Sequence, residues 1–472
     1  MRTARSRQEL AAGTGAAAGG AGTGVDPLAR EMFALRPGAI WRFLLTQPLS
    51  FWLICIYMFF EYVRPQQIYA AISGMPFASW TIYLAGAAFL LEGARGRSWT
   101  VADSTLAFFS VVVILSSLTA FRPSVSIGEW QLYFSWVLIY FLITVTVTTE
   151  KRFFVFMLAY MLYCFKMSQH GFRSWAEGGF AFRGWGTTCS PGWFQNSGEC
   201  GIQMSIFFPL AVFFIIGLRP YWSRRTFWLM LALPITAAVT MVGSSSRGAL
   251  IGLAATVLWM LAKSRNRIQA LVVAVVFAGG IYFLIPAEQR LRLQAMGEDE
   301  TSQSRLVYWE RALEMMGDYP LLGIGYKNWL PYHRTHYPVG AFGNQLVHNM
   351  FLEAGAELGY IGLGAFLAMI AATFALNRDT RKRAARLPDG GRFLWHMAHG
   401  LDGALVGLMA SGFFVTVLYY PFFWINLAMT VALHTATRAE ERRLRVATRA
   451  TAVARGGAGG SPVVLWRPRH GT

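Results

Sequence analysis

HNMFLEAGAELGYIGL, residues 348–363, marks the place where the chain changes character. Upstream of it, from Pro286, lies the longest polar interval of an otherwise apolar sequence. That interval opens with Glu288, Arg290 and Arg292, passes through Ser304-Arg305 and PLLGIGYKNW (320–329), and ends at His348. Downstream the residues read as an apolar helix. Glu353 and Glu357 stand one turn apart on one face of its opening turns. Carboxylates in a membrane helix are costly unless paired, and Arg247 and Arg183 are the candidate partners. A polar segment that ends in His, Asn and two Glu at the mouth of a membrane helix reads as an active-site lid.

The rest of the chain says which membrane helices surround it. Of 472 residues, 55% are hydrophobic, 15% aromatic and only 14% charged, which is not the composition of a soluble protein. Apolar runs long enough to cross a bilayer fall at about 43–61, 77–92, 103–120, 131–148, 151–167, 199–217, 225–243, 247–263, 268–286, 349–376, 402–418 and 421–437. The expected fold is an all-α integral membrane protein of about 12 transmembrane helices. A large helical loop, 287–348, separates helices nine and ten, and a smaller outer loop covers 168–198. Residues 1–42 contain no apolar h-region of a cleavable signal, and read as a disordered head. Residues 438–472 read as a basic, disordered tail.

The net charge of +18 raises nucleic acid as a partner, but the charge follows topology instead. With both termini cytoplasmic, inner segments hold 30 of the 42 Lys and Arg, although the outer segments include both longest loops. That asymmetry is the positive-inside rule. It places the 168–198 and 287–348 loops outside and leaves membrane lipid, not nucleic acid, as the partner of the basic surface.

Several outer residues have both a bland and a functional reading. Glu61 and Arg64 in FFEYVRPQQIY (59–69) read as a solvated helix end. The loop SQHGFRSWAEGGFAFRGWGTTCSPGWFQNSGEC (168–200) is rich in Gly and Trp and carries Arg173 and Arg183. It suits an interfacial segment, and equally a wall that stacks on saccharide and binds phosphate through Arg. Cys189 and Cys200 flank its second half and are able to pair in an oxidising compartment, while Cys55 and Cys164 lie in apolar runs. In VTMVGSSSRGALIG (239–252), Arg247 sits at the outer end of a helix hairpin beside three serines. A snorkelling Arg explains it, and so does an anion site at a helix N-terminus. Leu306, Trp309, Leu313 and Met316 have helical spacing and predict an amphipathic helix over 304–316. Arg305 lies in its first turn, the wrong end for compensating the dipole, which points to a ligand. The run Glu298-Asp299-Glu300 reads as a solvated loop, since no His or further carboxylate stands at metal-ligand spacing. His348 alone reads first as a hydrogen-bonded interface residue and only second as a catalyst.

SSSRGAL (244–250), then Ser304-Arg305 with Trp309 and PLLGIGYKNW, then HNMFLEAGAELGYIGL, resemble the O-antigen ligase and polymerase superfamily over about Phe182 to Met369. YVRPQQIYAAISGMPF (62–77) is similar to the exosortase-associated branch of O-glycosylation ligases. The resemblance implies a GT-C-like glycosyltransferase of the bacterial inner membrane with its site facing the periplasm. Its donor would be an undecaprenyl-diphosphate-linked glycan, and its acceptor a hydroxyl of lipid A–core, a protein or a growing polymer. It implies diphosphate contacts for Arg183, Arg247 and Arg305. It further implies His348 as general base or diphosphate contact, and supporting roles for Asn349, Glu353 and Glu357. The chemistry expected is metal-free, cofactor-free and inverting, because arginines neutralise the leaving diphosphate and no nucleophilic carboxylate pair stands out. Where such proteins carry a Pro-Asn pair, this chain reads SPGWFQNSGEC, so no role passes to Asn196.

Overall fold

The computed structural model describes residues 26–93, 97–181, 186–264, 266–284, 300–337, 343 and 345–456, and these are helical without a strand among them. The helices used below are α1 (Pro27–Phe33), α2 (Pro37–Leu45), α3 (Leu49–Tyr62), α4 (Phe77–Leu91), α5 (Val101–Leu118), α6 (Trp130–Thr146), α7 (Glu150–Glu177) and α8 (Ser197–Leu218). They continue as α9 (Arg224–Met230), α10 (Ala232–Gly243), α11 (Arg247–Lys263), α12 (Arg267–Leu284), α13 (Glu300–Asp318), α14 (Trp329–His336), α15 (Met350–Ala384), α16 (Arg392–Gly412) and α17 (Pro421–Gly456).

Helix stands at each of the twelve expected stretches, but not as twelve uniform spans. Among the described residues four helical segments are long and apolar enough to cross a membrane: Val101–Leu118, Ser197–Tyr221, Arg224–Gly243 and Met350–Ala384. The first expected span is divided between α2 and α3, and α7 continues to Glu177, so 168–177 is helix where a loop was expected. The eleventh ends early. α16 stops at Gly412, and 413–420 turns back as a loop. Residues 27–42, expected in the disordered head, form α1 and most of α2. Phe33 there is buried on Phe154, Tyr221 and Phe393.

α8 is the central helix, with 89% of its apolar window buried. Its neighbour α16 presents Gly400, Gly403 and Gly407 to Leu210, Pro209 and Ser205, so the two backbones meet closely. A methyl group on Gly407 would lie 2.9 Å from the Ser205 carbonyl oxygen, and one on Gly252 of α11 2.9 Å from that of Gly407. Small residues at helix crossings are how apolar helices pack where lipid is as greasy as the partner. The outer helices carry the opposite pattern. Leu84, Leu90 and Leu91 on α4 and Leu258 on α11 are exposed, Leu91 to 89%. Apolar side chains on the outside and glycine on the inside describe a membrane protein.

α13, the loop after it and α14 lie over the start of α15 and share a small second core. Tyr308, Ala312, Met315, Ile324, Trp329, Tyr332, Val347 and Ala356 form it. The expected helix over 304–316 is therefore present and longer; Met316 and Trp309 of the expected stripe pack inward, joined by Ser304, Tyr308, Ala312 and Met315. Leu306 and Leu313 are 53% and 56% exposed. The two stripes are neighbours on one helix, and Tyr308 joins the core where its hydroxyl also bonds the Gly343 carbonyl at 2.9 Å.

Candidate functional site

The site begins with a break in α15. Gly359 has φ 67° and ψ −174°, outside helical values, and so interrupts the helix two residues after Glu357. The PLLGIG segment fills the break. Ile324 and Gly325 donate their N–H groups to the carbonyls of Ala356 and Glu357 at 2.9 and 3.0 Å, and Tyr360 donates to Pro320 at 2.8 Å. Ser116 of α5 adds a hydroxyl bond to the Glu357 carbonyl. The orphaned backbone groups of the kink are thereby satisfied. The loop glycines are needed for this approach. A side chain at Gly325 (φ 111°) would stand 2.2 Å from Ala120 Cβ, and one at Gly323 (φ 67°) 2.4 Å from the Glu357 carbonyl carbon.

With the loop docked, YKNW falls on the two carboxylates. Glu357 accepts the backbone N–H of Lys327 at 3.0 Å and of Trp329 at 3.3 Å. Glu353 accepts the N–H of Leu418 at 3.2 Å. The Lys327 ammonium lies 4.4 Å above the Tyr419 ring and is the cation acting on both carboxylates. The expected partners were Arg247 and Arg183. The structure instead brings Lys327 to them, its backbone N–H on Glu357 and its ammonium over the Tyr419 ring. Lys327 was visible in PLLGIGYKNW but passed over, since a Lys after a glycine turn ordinarily reads as solvated. The signal that would have found it is charge balance: two buried carboxylates demand a cation, and this lysine stands two residues after the glycine turn.

His348 stands just before α15 in a left-handed conformation, φ 51°. Its N–H donates to Thr416 Oγ1 at 2.8 Å. Asn349 caps the helix, its Oδ1 accepting from Phe351 and Leu352 at 2.9 and 3.2 Å. Burial and the neighbouring positive charge of Arg305 push the His348 imidazole down to about 4, so it is neutral at physiological pH. A neutral ring beside a guanidinium has a free acceptor nitrogen and an anion-binding neighbour. Arg305 and His348, 43 positions apart in sequence, are thus brought together.

Arg247 opens α11. Ser246 caps the helix by accepting the Ala249 N–H at 3.3 Å, and Ser245 takes a positive φ of 56°. Gly248 faces the Ser411 carbonyl at the end of α16 and Phe414 of the loop after it, and Phe414 and Phe413 pack on Trp309 of α13. The 411–419 segment is therefore the common floor. It touches the Arg247 turn, the Arg305 helix, His348, Glu353 and Lys327. Arg183 lies outside the described residues, as do Glu298 and Asp299. The residues after Arg183 do dock here, with Thr187 donating to the Gly243 carbonyl at 2.9 Å and Gly186 (φ 92°) lying against Ser244.

Cys189 and Cys200 form a disulfide with Cα atoms 5.3 Å apart, closing the loop whose start packs on the Arg247 turn. Glu61 and Arg64 are not the solvated helix end expected. Their side chains are 7% and 14% exposed and pair at 3.1 Å. Trp193 donates to Glu61, and Arg64 lies 5.6 Å over the Trp193 ring. The polar pair is buried because the Trp-rich loop folds down onto it. Arg173 remains a surface residue of α7, 3.9 Å from Glu177.

Much of this arrangement is built from a segment that matches a family model. Residues 232–367 match the O-antigen ligase family. The matched segment contains Arg247, Arg305, Lys327, His348, Glu353 and Glu357, and excludes Arg183. The chain is also 27% identical over 210 residues to the exopolysaccharide production protein ExoQ of Rhizobium meliloti (strain 1021). That alignment takes in 40% of this chain and 46% of ExoQ, so the chain spans less than half the length of this curated relative. Both findings support the resemblance to the O-antigen ligase and polymerase superfamily, and the family match covers the segment that carries most of the site.

Proposed function

We propose that this protein is a membrane glycosyltransferase that moves a glycan from polyprenyl (undecaprenyl) diphosphate to an acceptor hydroxyl. The site faces the periplasmic side of a bacterial inner membrane. The observation that carries the reading is that one segment, 411–416, lies against both the Arg247 turn and a buried His348 on which the charge of Arg305 acts. A diphosphate leaving group needs fixed positive charge where its negative charge develops, and arginines offer it by bidentate hydrogen bonds. The acceptor hydroxyl must lose a proton, and His348 in its neutral form accepts one. Arg183 would extend the diphosphate site from its loop. Attack by the hydroxyl oxygen on the anomeric carbon, with departure of the polyprenyl diphosphate from the opposite face, inverts configuration in one step. Asn349, Glu353 and Glu357 act behind this chemistry by fixing the start of α15.

O-antigen ligation to lipid A–core is the acceptor reading preferred, with protein O-glycosylation as its variant. The relationship to an exopolysaccharide production protein favours a second reading, chain polymerisation, in which the acceptor is another lipid-linked glycan. Proteoliposomes containing a polyprenyl-diphosphate glycan, with EDTA and either lipid A–core or a candidate protein, separate these. Product on lipid A–core supports ligation. Product on protein alone supports O-glycosylation, and lengthened lipid-linked glycan supports polymerisation. Movement of the donor between leaflets with no transfer would contradict the enzyme reading.

A further inference from the structure

Glu353 and Glu357 are 4% and 3% exposed, and the backbone of the docked loop meets Glu357 while the ammonium of that loop lies over Tyr419, next to the residue that bonds Glu353. That ammonium belongs to Lys327, a non-glycine residue held at φ 59° in the docked loop. Its backbone N–H is spent on Glu357 and its side chain lies on Tyr419, itself 1% exposed. The N–H of Leu418, the residue before Tyr419, is bonded to Glu353. Two residues back, Thr416 receives the His348 N–H. Lys327 therefore touches one end of a short segment whose other end holds His348.

We propose that Lys327 is the positioning residue of this site. Its ammonium, seated on Tyr419 next to the residue that bonds Glu353, holds the 416–419 segment against the start of α15 and so fixes the backbone of His348. Without it, two buried carboxylates repel each other and the segment between them loosens. The remedy is specific. Glu353→Gln keeps an acceptor for the Leu418 N–H and removes one negative charge, which leaves Glu357 with its two backbone donors.

Hydrogen exchange and transfer, measured on the full-length protein in phosphatidylethanolamine–phosphatidylglycerol nanodiscs, test this together. Only the kinetic readout rests on the transferase reading. Lys327→Met should raise exchange at the Leu418 and His348 amides by about tenfold or more, with α8 still protected. It should lower kcat by about tenfold or more while the donor KM moves less than about threefold. The Lys327→Met/Glu353→Gln double variant should recover most of both. Unchanged exchange in the single variant overturns the proposal. So does a loss confined to KM, which would make Lys327 a substrate contact. So does a double variant no better than the single one, including one that fails to restore α8 protection if the single variant loses it. If wild-type protein transfers no glycan, the transferase reading fails, and the exchange comparison still decides the role of Lys327.

Discussion

His348 shows how far a single residue could be read. Its position before an apolar helix was plain in the sequence, but its state was not. The proximity of Arg305 and the burial that keep the ring neutral come from α13 folding back over the site. The sign of the pH effect follows. In the unfolded chain a histidine takes its proton near 6.5, whereas here it does so near 4. Between those values the unfolded state binds more protons, so this residue's contribution to stability falls as pH drops through that window. The functional form is the neutral one. Transfer should be flat with respect to His348 from about pH 8 down to about 5.5, and fall as pH nears 4. A pH–rate profile checks this, and a fall centred near 6.5 would mean that the ring is not desolvated. Arg305→Gln removes the neighbouring charge and should raise the inflection, while also weakening the donor interaction.

Among the elements, α15 and the PLLGIG loop carry the most information. The helix was legible from its apolar run and its two carboxylates. Its break at Gly359 was not, because a glycine in an apolar helix is as often packing as conformational, and only the docked loop shows why φ is positive. The carboxylates' partner was missed for the same reason, since the contact is made by folding the loop back and not by helical spacing. On α13 half of the expected stripe, Trp309 and Met316, packs inward beside Tyr308 and Ala312, while Leu306 and Leu313 do not. Gly325→Ala should force the loop off Ala120 and Glu357. We expect a loss of roughly 1–3 kcal/mol in stability from strain and the broken bonds, read as a lower melting temperature in detergent. Ser246→Ala removes the cap beside Arg247 and should cost about 1 kcal/mol, with a larger fall in transfer than in melting temperature if the turn positions the guanidinium. Unchanged melting in either variant would contradict the assigned contacts. Cys189→Ala/Cys200→Ala opens an 11-residue loop and should loosen the segment on the Arg247 turn, seen as faster exchange at Thr187.

At the scale of the molecule, composition and the basic asymmetry made a multi-helix membrane protein legible before any coordinate. The exposed leucines of α4 and α11 and the glycine seams of α8, α11 and α16 agree with it. Individual span limits were less legible. Apolar runs continue through turns here, so the run at 402–418 hid the loop that became the floor of the site. Sidedness is open to a direct check. Single cysteines placed at Gln195 and at Arg378, in a background without the four native ones, should be labelled by an impermeant reagent from opposite sides, Gln195 from the periplasm. Labelling of both from one side would reverse the topology on which the donor's location rests.

The most direct test of the central claim is transfer from polyprenyl-diphosphate glycan in proteoliposomes, comparing wild type with Arg247→Ala, Arg305→Ala and His348→Ala at equal insertion. The account predicts product from wild type and losses on the order of a hundredfold or more for Arg247→Ala and His348→Ala. Full activity in either of those variants would contradict the site described.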